Sequence, residues 1–201
     1  MLTIDQRTGC HDVGVTDNDL PNDDPADAPL VERMEVGRVI SAEPAAIFAV
    51  LCDPQGHLAI DSSGMLQAAS GEPVTAVGDE FVVHMDREAL NDYPLESYDV
   101  TVTIRTFETD REIAWTVLGL IRPPLGHVYG YRLEPVESGT LVTSYYDWSD
   151  IDQQWRDAKI FPVMAESALR ATLGILSRTV APAVKPAPPK GGSAPGENAA
   201  G

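Results

Sequence analysis

A chain of 201 residues with 43% hydrophobic and 22% charged side chains has material for one sizeable core and little for a second. Its 31 acidic against 14 basic residues leave a formal charge of -17, which repels phosphate backbones and anionic lipid and excludes nucleic acid as a partner. No run approaches the roughly 20 apolar residues of a membrane span, and the opening Met-Leu-Thr-Ile-Asp-Gln-Arg lacks the basic-then-apolar layout of a signal peptide. The expectation is a cytoplasmic protein without a membrane span.

Residues 1–30 carry seven aspartates, one arginine and no aromatic ring, a composition that reads as a disordered acidic tail. Residues 182–201 are rich in Pro, Gly and Ala and read as a second disordered tail. Every Phe, Tyr and Trp falls between Phe48 and Phe161, so the folded body is expected over 31–181. Cys10 and Cys52 have neither the paired spacing of a zinc site nor that of a redox dithiol. They are expected to be reduced and incidental.

Within the body, 34–40 predicts a short strand. The segment from Ser41 to Asp53 predicts a helix with Ile47, Phe48 and Leu51 at helical spacing, ended by Asp53-Pro54. A second short helix follows over 54–60. Six strand-like runs come next, over 64–70, 79–87, 96–107, 111–120, 126–134 and 140–148, with a flap or loop expected at 88–95. Their short connections imply an antiparallel meander, because parallel pairs need a crossover of a dozen or more residues. A short helix from Ser149 or Asp150 to Trp155 precedes a long one over 162–180, with Pro162 at its first position. Ala165, Leu169, Leu173, Leu176 and Val180 form its apolar stripe, widened by Met164, Ala168 and Ile175. The fold class is α+β: a curved antiparallel sheet wrapped around a long C-terminal helix.

That element order resembles the helix-grip fold of the START-like (SRPBCC) superfamily over about residues 33–180. The run from Pro44 to Pro54 resembles the family's first helix with its Phe-x-x-Leu-x-Asp-Pro ending. Val77-Gly78-Asp79-Glu80-Phe81 is similar to the family's lead into a strand. Arg111-Glu112-Ile113-Ala114-Trp115 and Ser138-Gly139-Thr140-Leu141-Val142-Thr143 resemble two later strands. The pattern is most like small actinobacterial members of the polyketide cyclase/dehydrase kind. The resemblance implies an elongated cavity between sheet and last helix for a hydrophobic or aromatic small molecule. It carries no universal catalytic motif, so fold alone does not decide function.

Alternation along the strands nominates the wall of such a cavity. His127, Tyr129, Tyr131 and Leu133 share one face. If Leu133 points inward, an imidazole and two phenols do too, a set suited to removing a proton beside a carbonyl and stabilising the enolate. The alternative is that the aromatics fill the interior and His127 sits wet at the rim. Phe81, Val83 and Met85 face the core, which leaves His84 and Asp86 on the solvated side. Tyr98, Val100 and Val102 face inward on the clearest amphipathic strand, Trp115 shares its face with Ile113 and Val117, and Met164, Ala168 and Leu169 come from the last helix. His57 is expected at the surface or at a helix cap. For 140–148 two phases are open, and the cost of burying a lone Asp147 favours Val142, Ser144, Tyr146 and Trp148 inward.

Neither a phosphate loop nor a nucleophile elbow is evident, and no metal or other cofactor is expected. Three functions follow: a carrier of a hydrophobic or aromatic small molecule, a lyase-like cyclase/dehydrase with His127 as general base, or an acidic protein-interaction module without ligand. The expected state is monomer or homodimer.

Overall fold

The computed structural model describes residues 32–88 and 96–181. The two expected tails lie outside the described residues, as does the expected flap apart from Glu88. In chain order the elements are β1 (Arg33–Ile40), α1 (Pro44–Cys52), α2 (Pro54–Ile60), β2 (Leu66–Ser70), β3 (Glu80–Asp86), β4 (Ser97–Glu108), β5 (Glu112–Leu118), β6 (Val128–Val136), β7 (Gly139–Asp147), α3 (Gln153–Asp157) and α4 (Glu166–Val180).

The seven strands form one curved antiparallel sheet in the order β1-β7-β6-β5-β4-β3-β2. The chain leaves one edge after β1, crosses through α1 and α2, re-enters at the opposite edge as β2, and meanders back until β7 pairs with β1. Thr140 fixes that corner by donating its hydroxyl to the Ala42 carbonyl at 2.7 Å.

Each element follows from local chemistry. Pro44 opens α1, and Ile47, Phe48, Leu51 and Cys52 are its buried face. Asp53 ends α1 ahead of Pro54 and caps α2, its carboxylate accepting the Gln55 N–H at 2.9 Å. A register shift between Ile104 and Thr106 marks a bulge in β4 and turns Phe107 inward, edge-on to Phe48 at 5.3 Å. In β7 the inward phase is Val142, Ser144, Tyr146 and Trp148, all buried. Asp147 faces the other way and pairs with Arg33 at 2.7 Å.

The last helix begins at Glu166 rather than at Pro162. The segment before it carries Val163 and Met164 to a cavity wall, and Ala165 becomes an exposed N-cap. From there Leu169, Leu173 and Leu176 are buried against the sheet. Ser62 ties the helix down: it donates to the Ala168 carbonyl at 3.2 Å and receives the Thr172 hydroxyl at 2.9 Å.

Candidate functional site

Two adjoining cavities lie along the inner face of the sheet. The first, about 200 Å³, is bounded by α2, α4 and the strands, with Val83, Val102, Trp115, Tyr131, Ala168 and Leu169 on its wall. The second, about 330 Å³, opens beside the β5–β6 connection and contains Tyr98, His127 and Trp155. Met65, Met85, Val100, Val117, Tyr129 and Met164 line both. Three flexible thioethers at this junction suit ligands of varied outline. At the rim of the second chamber, Leu120 and Ile121 are 65% and 40% exposed, and Trp155 holds α3 there by donating to the Pro124 carbonyl at 3.3 Å.

Of the residues nominated from the sequence, Phe81 lines neither chamber. His57 stands in front of it, with ring centroids 4.9 Å apart. His57 itself is the main departure from expectation: it is buried, not at the surface, and its other side packs edge-on to Trp115 at 4.7 Å. Its Nε2 lies 2.9 Å from the Leu51 carbonyl, one of the groups left unpaired where α1 ends. As the carbonyl can only accept, Nε2 carries the proton. Burial drives the His57 pKa down to about 4, against the opposing pull of the Leu51 carbonyl, so the ring is neutral at pH 7.

Tyr129 and Tyr131 lie beside Trp115, their rings stacked on it at 6.4 and 5.9 Å. Burial raises both phenols, Tyr131 to about 12, so neither ionises at neutral pH. His127 is 2% exposed and not at a wet rim. Tyr129, Tyr146 and Phe161 enclose it edge-on at 5.1 to 5.5 Å, and Phe161 arrives from the segment between α3 and α4. Its Nδ1 is 2.8 Å from the Tyr146 hydroxyl, while Nε2 has no partner. Burial alone takes its pKa down to about 4. An imidazole of that pKa is a poor general base at pH 7 but an intact neutral hydrogen-bonding group.

Other polar groups near the chambers are already engaged. Asp61 accepts from the Ser63 backbone and hydroxyl and from the Leu66 N–H, so it shapes a turn. His84 is exposed on the outer face, 2.8 Å from Asp99. Among the described residues no three His, Cys, Asp or Glu side chains gather as a metal site would need. Cys52 is buried with its pKa raised by burial to about 11, which leaves the thiol protonated.

Sequence reasoning missed Met65, Thr172 and His57 as wall residues. For His57 a signal exists in the spacing Gly56-His57-x-x-Ile60, which buries one face of a helix only seven residues long.

No family model matches the chain, and no curated protein matches it. Solved structures do. Protein Ms6760 from Mycobacterium smegmatis is 10% identical and superposes with a TM-score of 0.54, covering 77% of this chain and 93% of its own. Protein CV1439 from Chromobacterium violaceum is 14% identical with a TM-score of 0.53, over 76% of this chain and 99% of its own. The AHSA1-like protein from Aeromonas hydrophila is 16% identical with a TM-score of 0.48, over 74% and 91%. At these identities the likeness, carried by the two structures with TM-scores above 0.5, is one of fold: an α+β fold with a curved antiparallel sheet and a C-terminal helix.

Proposed function

We propose that this chain binds and carries an uncharged hydrophobic or aromatic small molecule in the two chambers between the sheet and α4. The observation that carries the reading is the pair of adjoining cavities, about 200 and 330 Å³, walled by aromatic rings, aliphatic side chains and three methionines. Affinity comes from apolar ligand surface taken out of water, about 25 cal/mol per Å² before ordering costs.

The second reading is a cyclase/dehydrase-type enzyme with His127 as general base. It is favoured by the buried, unpaired Nε2 of His127, a residue on the wall of the larger chamber. The low basicity of a buried imidazole weighs against it and puts carriage first.

Native mass spectrometry of protein purified from its own host, against the same sample denatured, tests the proposal. A retained small molecule that disappears on denaturation supports it. Unliganded chain, together with an unchanged melting temperature across a panel of aromatic and lipid compounds, overturns it.

A further inference from the structure

The smaller chamber has a polar side, between the C-terminal end of α2 and α4, whose hydrogen-bonding protons can be counted. His57, Asp61, Ser62, Ser63 and Thr172 supply it. Ser62 donates its hydroxyl proton to the Ala168 carbonyl at 3.2 Å, and Thr172 donates to Ser62 at 2.9 Å. Ser63 donates to the Asp61 carboxylate at 2.7 Å, and Asp61 also accepts the Ser63 and Leu66 N–H groups at 2.9 and 3.2 Å. A hydroxyl has one proton and a carboxylate none, so these four side chains have only lone pairs left to offer.

His57 completes the set. The Leu51 carbonyl, 2.9 Å from Nε2, fixes the ring's one proton there and leaves Nδ1 as a lone pair. Phe81 and Trp115 hold the ring edge-on at 4.9 and 4.7 Å, so that lone pair has a set direction. No hydrogen bond reaches Nδ1 from the described residues. Among those residues the sealed and unpartnered side-chain N or O is His127 Nε2 alone, so His57 Nδ1 keeps accessible surface, and its residue lines this chamber. Apolar ligand surface laid over such an acceptor takes away its hydrogen bond to water and returns nothing, whereas a ligand O–H replaces that bond. Hydroxyls able to donate, those of Tyr131 and Ser144, stand on the sheet side of the chamber instead.

We propose that this side of the smaller chamber is an acceptor-only wall that selects an uncharged apolar ligand ending in a hydrogen-bond donor, a phenol or an alcohol rather than an ether or a ketone, with His57 Nδ1 accepting the ligand's O–H. The proposal rests on the cavity-binding reading above and names the ligand class for it. The acceptor is set in place before the ligand arrives, by the Leu51 carbonyl on one ring edge and the two aromatic neighbours, so binding spends little on ordering it.

The test uses the full chain and three probes of similar outline: 2-naphthol, 2-methoxynaphthalene, which keeps the oxygen and loses the proton, and 2-ethylnaphthalene, which loses both. By calorimetric titration 2-naphthol is expected to bind about tenfold more tightly than either of the others, the scale of one buried hydrogen bond. In His57→Phe the ratio of 2-naphthol to 2-ethylnaphthalene affinity is expected to fall from about ten to about one. A second readout needs no variant. In chain labelled with ¹⁵N-histidine, the His57 Nδ1 signal is expected to take the upfield shift of an accepted hydrogen bond with 2-naphthol alone, Nε2 staying protonated, with His84 on the outer face as reference. Equal affinity of 2-naphthol and 2-methoxynaphthalene, a naphthol advantage that survives in His57→Phe, or an unmoved Nδ1 signal at saturation overturns the acceptor wall and leaves the cavity reading standing. Failure of all three probes to bind overturns both.

Discussion

Gly130→Ala isolates one contact on the outer face of the sheet. Gly130 and Tyr145 are cross-strand partners, and the hydroxyl end of the Tyr145 ring stands against the glycine. A Cβ at Gly130 would stand 2.3 Å from Tyr145 Cζ and 2.5 Å from its hydroxyl oxygen. The ring must move by more than 1 Å, and three interactions go with it. Tyr145 donates to Glu112 at 2.8 Å, and its ring lies 4.4 and 5.5 Å from the guanidinium carbons of Arg33 and Arg132. A hydrogen bond to a charged acceptor is worth about 1.5 kcal/mol and each half-exposed cation–π contact about 0.5–1 kcal/mol, so the loss is about 2.5–3.5 kcal/mol. For a domain of this size that lowers the melting temperature by about 5–10 °C, read by calorimetry or circular dichroism. The same change in a Tyr145→Ala background is expected to be neutral or to stabilise by about 0.5 kcal/mol, because alanine in a strand loses less backbone entropy than glycine. An equal loss in both backgrounds would refute the reasoning, since the fault would then lie in the strand and not in the ring.

The two buried histidines predict a pH dependence. Their folded pKa values of about 4 lie below the ordinary 6.5, so the unfolded chain binds more protons and stability falls as pH drops from about 6.5 towards 4. Each histidine accounts for about 2 kcal/mol between pH 7 and 5, which urea titrations at both pH values measure. His57→Phe is expected to remove about half of that difference, and a stability flat across this range contradicts the burial argument. Leu173→Ala, at 1% exposure under the sheet, is expected to lower unfolding free energy by about 3 kcal/mol, and a loss below 1 kcal/mol in urea denaturation would disprove its core role. Met164→Trp fills the junction of the two chambers and is expected to weaken binding of 2-naphthol at least tenfold while leaving the melting temperature unchanged or higher. Undiminished affinity by calorimetric titration argues that the ligand sits elsewhere.

Where the chain's pattern is local, it was legible. The alternation from Tyr98 to Ile104 needs only the pleat of β4 to put Val100, Val102 and Ile104 inside. The phase of β7 followed from the cost of an inward Asp147, which in the structure pairs outward with Arg33. What escaped reading depends on how separate elements approach one another. His57 is buried because Gly56 lets α2 close on α1: a Cβ there would stand 1.9 Å from the Val50 carbonyl oxygen. Nothing in the local pattern around His57 tells that its neighbours are Phe81 and Trp115. His127 is enclosed by Phe161, 34 residues away in sequence, so its place just ahead of β6 left an inward and a rim position both open.

The five methionines make the central claim directly measurable. Met65, Met85 and Met164 line both chambers, whereas Met34 packs against the core and lines neither. With ¹³C-methyl methionine in the full chain, titration with 2-naphthol is predicted to shift the Met65, Met85 and Met164 methyl signals together and saturably, leaving Met34 in place. Shifts confined to Met34, or no saturable shift at all, would contradict a ligand seated between the sheet and α4.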